Sequence, residues 1–98
     1  MREGTINTVA SKLGVNSCRT LLVAAAAYLL LYKGKEKFSR EELVSCAKEA
    51  RVWKSDYSVQ TSVNINRMCD AEELIEKSKD VYDLSQKKLA ELEKKLSE

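Results

Sequence analysis

The stretch from Lys54 to Ser85, KSDYSVQTSVNINRMCDAEELIEKSKDVYDLS, constrains the fold more than any other part of the chain. Ser55, Asp56 and Ser58 each carry a short side-chain oxygen that can accept from the free amides of a first helical turn, so a helix is predicted to begin between 56 and 59. It is followed by a four-residue strand, Leu74-Ile75-Glu76-Lys77, a polar turn, Ser78-Lys79-Asp80, and a second strand, Val81-Tyr82-Asp83-Leu84. Ser85 then offers the cap of a new helix.

The 98 residues suffice for one domain, 1–98, with a single core. Net charge is only +2, so a nucleic-acid partner would need a local basic patch. Histidine is absent, which removes the usual general base and the usual metal ligand together. Cys18, Cys46 and Cys69 form no C-x-x-C pair, are odd in number, and cannot supply a four-thiolate zinc site. They read as buried thiols of a reduced, cytoplasmic protein. Tyr57, Tyr82, Cys69, Glu72 and Glu73 have no spacing that acid-base chemistry requires, and no glycine-rich phosphate loop is present. The chain is therefore expected to be no enzyme and to hold neither metal nor cofactor. The long apolar run, Leu21 to Tyr32, falls short of the roughly 20 residues of a membrane-spanning helix. Arg2 and Glu3 open a segment without an apolar core, so neither a secretory signal nor a membrane partner is expected.

Ile6, Val9, Ala10 and Leu13 mark one face of a helix begun near Thr5 and stopped at Gly14. The text VASKLGVNSCRTL resembles a helix-turn-helix in the spacing of Ala10 and Gly14. Thr20 stands where that motif wants an aliphatic, however, and the next helix is too apolar to read DNA. That helix, capped by Asn16 or Ser17, is expected to be central, with Ala24 to Ala27 permitting close approach and Gly34 as its C-terminal cap. Phe38 is expected to fold into the core. Ser39 and Glu42 form a capping box for a helix whose inner side carries Leu43, Val44 and Ala47. Trp53 is read as a cover on the core edge.

Counted as one continuous helix near residues 57–70, the reading stretch puts Ile65, Met68 and Cys69 in one sector and Gln60, Asn64 and Arg67 in another. The first set is expected to face inward, the second outward, with Val59 and Val63 between. Gln and Asn suit adenine edges and Arg suits guanine, so Gln60, Asn64 and Arg67 are the base-reading candidates. Lys54, Tyr57, Ser58 and Thr61 are candidates for the DNA backbone, as are Lys77 and Lys79.

The segment RMCDAEELIEKSKDVYDLSQKKLAELEKKL resembles the tail of winged-helix transcription regulators, in which a reading helix leads into "Gly-Leu-Ile-polar", a turn, a "Tyr-x-Leu-Ser/Thr" strand and a C-terminal helix. The likeness covers roughly residues 17–98. It implies a mainly α (α+β) winged helix with an N-terminal helical extension over 1–16, a core over 17–84 with a small two-stranded wing, and a C-terminal helix over 85–98. It also implies a small protein that binds double-stranded DNA through the major groove and regulates transcription. Glu73 stands where that family has glycine, so a left-handed exit at this position would carry a steric cost.

Residues 70 to 80 carry two lysines against five carboxylates, whereas Lys33 to Lys54 carry seven cations against four glutamates. The acidic wing favours an alternative role as a protein-protein interaction module without sequence-specific DNA binding. Leu89, Leu92 and Leu96 form a stripe that could join two copies as a homodimer or pack on the N-terminal helix.

Overall fold

A computed structural model describes residues 4–97, so Arg2 and Glu3 lie outside the described part. Helix α1, Ile6–Leu13, begins in a capping box of Thr5 and Thr8 and ends at Gly14, whose φ of 65° is left-handed. Helix α2, Cys18–Ala27, is capped by the Ser17 hydroxyl, which accepts from the Thr20 amide at 3.2 Å. Ala24 to Ala27 are all fully buried, and their small side chains let α2 pack against α1 and later helices on several sides at once. Past Ala27 the helix widens into a π turn over Tyr28–Tyr32, closed by the Lys33 amide donating to the Tyr28 carbonyl at 3.0 Å. Gly34, with φ 72°, then turns the chain away, as its place after the apolar run leads one to expect.

Strand β1 is only Phe38–Ser39, and α3, Arg40–Lys48, follows without a break. Ser39 serves twice: its hydroxyl accepts from the Glu42 amide at 3.0 Å, and its backbone pairs in a sheet. A 3-10 turn, Ser55–Val59, precedes α4, Thr61–Asp70. Strands β2, Leu74–Ser78, and β3, Val81–Leu84, form a hairpin, and α5, Gln86–Ser97, closes the chain. The sheet has three antiparallel strands in the order β1-β3-β2. The third strand is the addition to the two foreseen: Phe38 lies opposite Tyr82 and Ser39 opposite Val81. Two residues are too few to show an alternating pattern, so β1 is created by the free edge of β3 rather than by its own propensity.

The hairpin turn is tighter than the sequence suggests. Ser78 pairs with Val81, leaving Lys79 and Asp80 as the loop, and Lys77 is the extra residue of a bulge between the Glu76–Tyr82 and Ser78–Val81 pairs. Asp80 takes the left-handed conformation, φ 58°, and its amide donates to the Glu76 carboxylate at 3.1 Å.

Leu92 and Leu96 are buried within the chain's own core, where α5 lies against α1, and Leu89 packs at its margin. Leu92 and Leu96 thus take the second of the two arrangements open to the stripe, packing on the N-terminal helix, and are not free to serve as dimer-interface residues. Each such leucine contributes about 1.5–3 kcal/mol by leaving water, and withdrawing them to build a second interface would forfeit that in the fold. The molecule is thus mainly helical, five helices around a small antiparallel sheet, an α+β arrangement. Among the described residues no helix is long and apolar enough to cross a membrane.

Candidate nucleic-acid interface

Helix α4 is positioned from both ends. At its start the Tyr57 ring is buried and meets Trp53 edge-on, centroids 5.6 Å apart, which anchors the 3-10 turn to the core. Gln60 occupies the N-cap with φ −99° and ψ −12°, and supplies no side-chain cap. Thr61 is nearly buried, its hydroxyl donating to the Ser58 carbonyl at 3.2 Å. Thr61, Ile65 and Met68, spaced i, i+4 and i+7, form the inner face.

That placement rotates the outward face away from the expected one. Ser62, Val63, Asn66, Arg67 and Asp70 are exposed on α4, and Val59 stands out just before it. Of the three base-reading candidates, only Arg67 is exposed; Gln60 and Asn64 are half-buried. Both amide nitrogens turn back on the helix: Gln60 Nε2 donates to the Asp56 carbonyl at 3.4 Å and Asn64 Nδ2 to the Gln60 carbonyl at 2.9 Å. Asn64 also lies beside Cys18, whose thiol is pushed up chiefly by burial. Two physical effects account for the difference. The chain is 3-10 up to Val59, so periodicity counted through Gln60 at the α-helical angle loses phase. A threonine that satisfies its hydroxyl on a local carbonyl can also serve as an inner residue, and Thr61 does.

Among the backbone candidates, Tyr57 and Thr61 are corrected, being committed to the core rather than free to meet a phosphate. Ser58 is exposed, although its hydroxyl donates to the Ser55 carbonyl at 2.9 Å. Lys54, Lys77 and Lys79 are exposed and form no ion pair among the described residues.

Arg40 was not singled out by sequence, yet it joins three elements. Its guanidinium donates to the Ser62 hydroxyl of α4 and to the Tyr82 hydroxyl of β3, each at 3.1 Å, and lies 3.5 Å from the Asp80 carboxylate at the hairpin loop. Its own amide donates to the Asp80 carbonyl at 2.8 Å. A fork of donors suits this task, because one planar group reaches separate acceptors without rotating. A lone arginine at the start of a capped helix carries no sequence signal of such a role.

The exit of α4 is a Schellman motif. The Glu73 amide donates to the Met68 carbonyl at 2.9 Å and the Glu72 amide to the Cys69 carbonyl at 3.1 Å. The left-handed residue is Glu72, φ 62°, one position before the place where glycine was expected. Glu73 is thereby freed to turn inward, where Arg19 and Lys88 both pair with its carboxylate. Burial alone would raise the Glu73 carboxyl, but the hydrogen bonds from these two cations outweigh it and hold it below the ordinary value. Cys69, at the end of α4, and Cys46 are also raised by burial, the latter to about 12, so neither presents a ready thiolate. Among the described residues, no cluster of three or more Cys, Asp or Glu side chains is placed to hold a metal.

The local field is mixed. Arg67 is the one charged residue between Asp56 and Asp70, and the hairpin carries its lysines among carboxylates. No family model, no curated protein and no solved structure matches this chain.

Proposed function

We propose that this chain is a winged-helix DNA-binding protein that presents α4 to the major groove and acts as a transcriptional regulator. The observation that carries this reading is the order of elements after Ser17: helix, strand, helix, helix, strand, strand, with the sheet in the order β1-β3-β2. That order leaves α4 with one face on the core and the other in solvent, next to the hairpin through Arg40. Arg67 supplies the fork that can meet guanine, and Asn66 supplies an exposed amide suited to adenine. Lys54, Lys77 and Lys79 are the cations for phosphates. The three free thiols suit a reduced, cytoplasmic setting.

A second reading, a protein-protein interaction module, is favoured by Val59 and Val63, which stand 80% and 49% exposed on this same face. Duplex retardation at low salt separates the two. Arg67→Ala is expected to change sequence preference. Lys54→Ala should weaken binding to all duplexes evenly and reduce the salt slope by about 1. Failure of the wild-type protein to retard any duplex at low salt contradicts DNA binding.

A further inference from the structure

A cleft of about 380 Å³ lies where the turn after α1 meets the connector from α3 to the 3-10 turn. Its walls come from Val15 and Asn16, from residues 51–54 and from Tyr57. The volume falls within the roughly 300–1,000 Å³ of sites that take small organic ligands. Trp53 and Tyr57 stand at 89° to one another with centroids 5.6 Å apart, so their rings make a corner, and Val15 and Val52 add apolar surface to the lining. The connector is tied to α1, because the Arg51 amide donates to the Asn7 side-chain oxygen at 2.8 Å. Charge in the cleft is of one sign: Arg51 and Lys54 are its ionised side chains, and none of the lining residues is acidic. Neither cation, nor the indole N–H of Trp53, has a partner for its side chain among the described residues. Tyr57 is only 7% exposed, yet its hydroxyl is also without a hydrogen bond among the described residues. A nearly buried hydroxyl left in that state calls for a partner from outside the chain.

We infer that this cleft is a binding site for a small aromatic carboxylate, with the ring against Trp53 and Tyr57 and the carboxylate met by Arg51 and Lys54. An aromatic ring gains from edge and face contacts with two rings fixed at a right angle. The guanidinium fork matches the two oxygens of a carboxylate, and Lys54 adds a second positive charge. Other ligand classes leave part of the lining unused. A neutral hydrocarbon would cover the rings and leave both cations without an acceptor, a bare inorganic anion would leave the rings in water, and a cation would be repelled. The assignment goes beyond the DNA-binding reading and stands without it.

The chain has one tryptophan, so its indole N–H gives a single resonance that reports on this cleft. Titration of 2-naphthoate into the isotope-labelled full chain should shift that resonance together with the amides of residues 51–54, and the shifts should saturate at roughly millimolar probe. The neutral 2-naphthamide keeps the rings and should bind about 10-fold more weakly, and Arg51→Gln and Lys54→Gln should each weaken naphthoate about 5-fold, the worth of one exposed ion pair. Cyclohexanecarboxylate keeps the charge without the aromatic ring and should also bind more weakly than naphthoate. Val52→Glu, at a position 41% exposed, adds a carboxylate to the lining and should abolish binding while leaving thermal unfolding in place. An indole resonance that naphthoate does not move, equal binding of the amide, or saturable shifts centred on another part of the surface would each overturn the assignment.

Discussion

The Arg40 guanidinium donates to the Tyr82 hydroxyl at 3.1 Å, tying the first turn of α3 to the central strand of the sheet. The same group lies about 6.0 Å from the Tyr82 ring centroid and reaches Ser62 on α4, so the hairpin and the exposed helix are held in one geometry by one side chain. Tyr82→Phe should cost about 1 kcal/mol, and a double-mutant cycle with Arg40→Met should return a coupling of about 1 kcal/mol. Arg40→Lys should not restore it, because an ammonium cannot serve the separated acceptors together. Denaturant unfolding of the four proteins measures the coupling, and strict additivity contradicts this role.

Glu72 holds the left-handed position of the Schellman motif, at a steric cost that glycine does not carry. Glu72→Gly should stabilise the protein by up to about 1 kcal/mol, less the extra entropy glycine has when unfolded. The midpoint of thermal unfolding should then rise by at most about 5 °C for a domain of this size. Glu72→Ala keeps the steric cost and should give no such gain.

Glu73 makes stability depend on acid. Its folded-state carboxyl titrates below the ordinary 4.5, so the stabilisation is complete above that value and is lost as the pH falls through the lower, folded-state one. Glu73→Gln should cost about 1–2 kcal/mol near neutrality, where it leaves Arg19 and Lys88 without their carboxylate. The gap between variant and wild type should close as the pH falls through that lower, folded-state value, below which the wild-type carboxyl is protonated too. Glu42 is also held low, by Lys35 and the Ser39 amide, but its side chain is 42% exposed and adds little. A gap that is constant with pH contradicts the assignment.

Much of the fold is legible where a local rule decides it. Thr5 and Gly14, Ser39 with Glu42, and the alternation in Val81 to Leu84 each place an element by chemistry that acts within a few residues. The outward face of α4 was not legible to the same degree. A helix that changes from 3-10 to α at Gln60 has no sequence mark, and Thr61 looks polar until its hydroxyl is seen bonded to Ser58. Strand β1 and the three-way role of Arg40 depend on residues 22 or more positions away in the chain, which no local window contains. The π turn at Tyr28–Tyr32 follows an uninterrupted helical pattern, and nothing in those residues marks it.

The central claim, that the exposed face of α4 meets duplex DNA, is tested most directly by amide chemical-shift mapping as duplex is added to isotope-labelled protein at low salt. The amides of residues 59 to 67 and of Lys77 to Asp80 should shift together and saturate, while those of α1 and α5 stay in place. Shifts confined to α1 and α5, or none at all, contradict it.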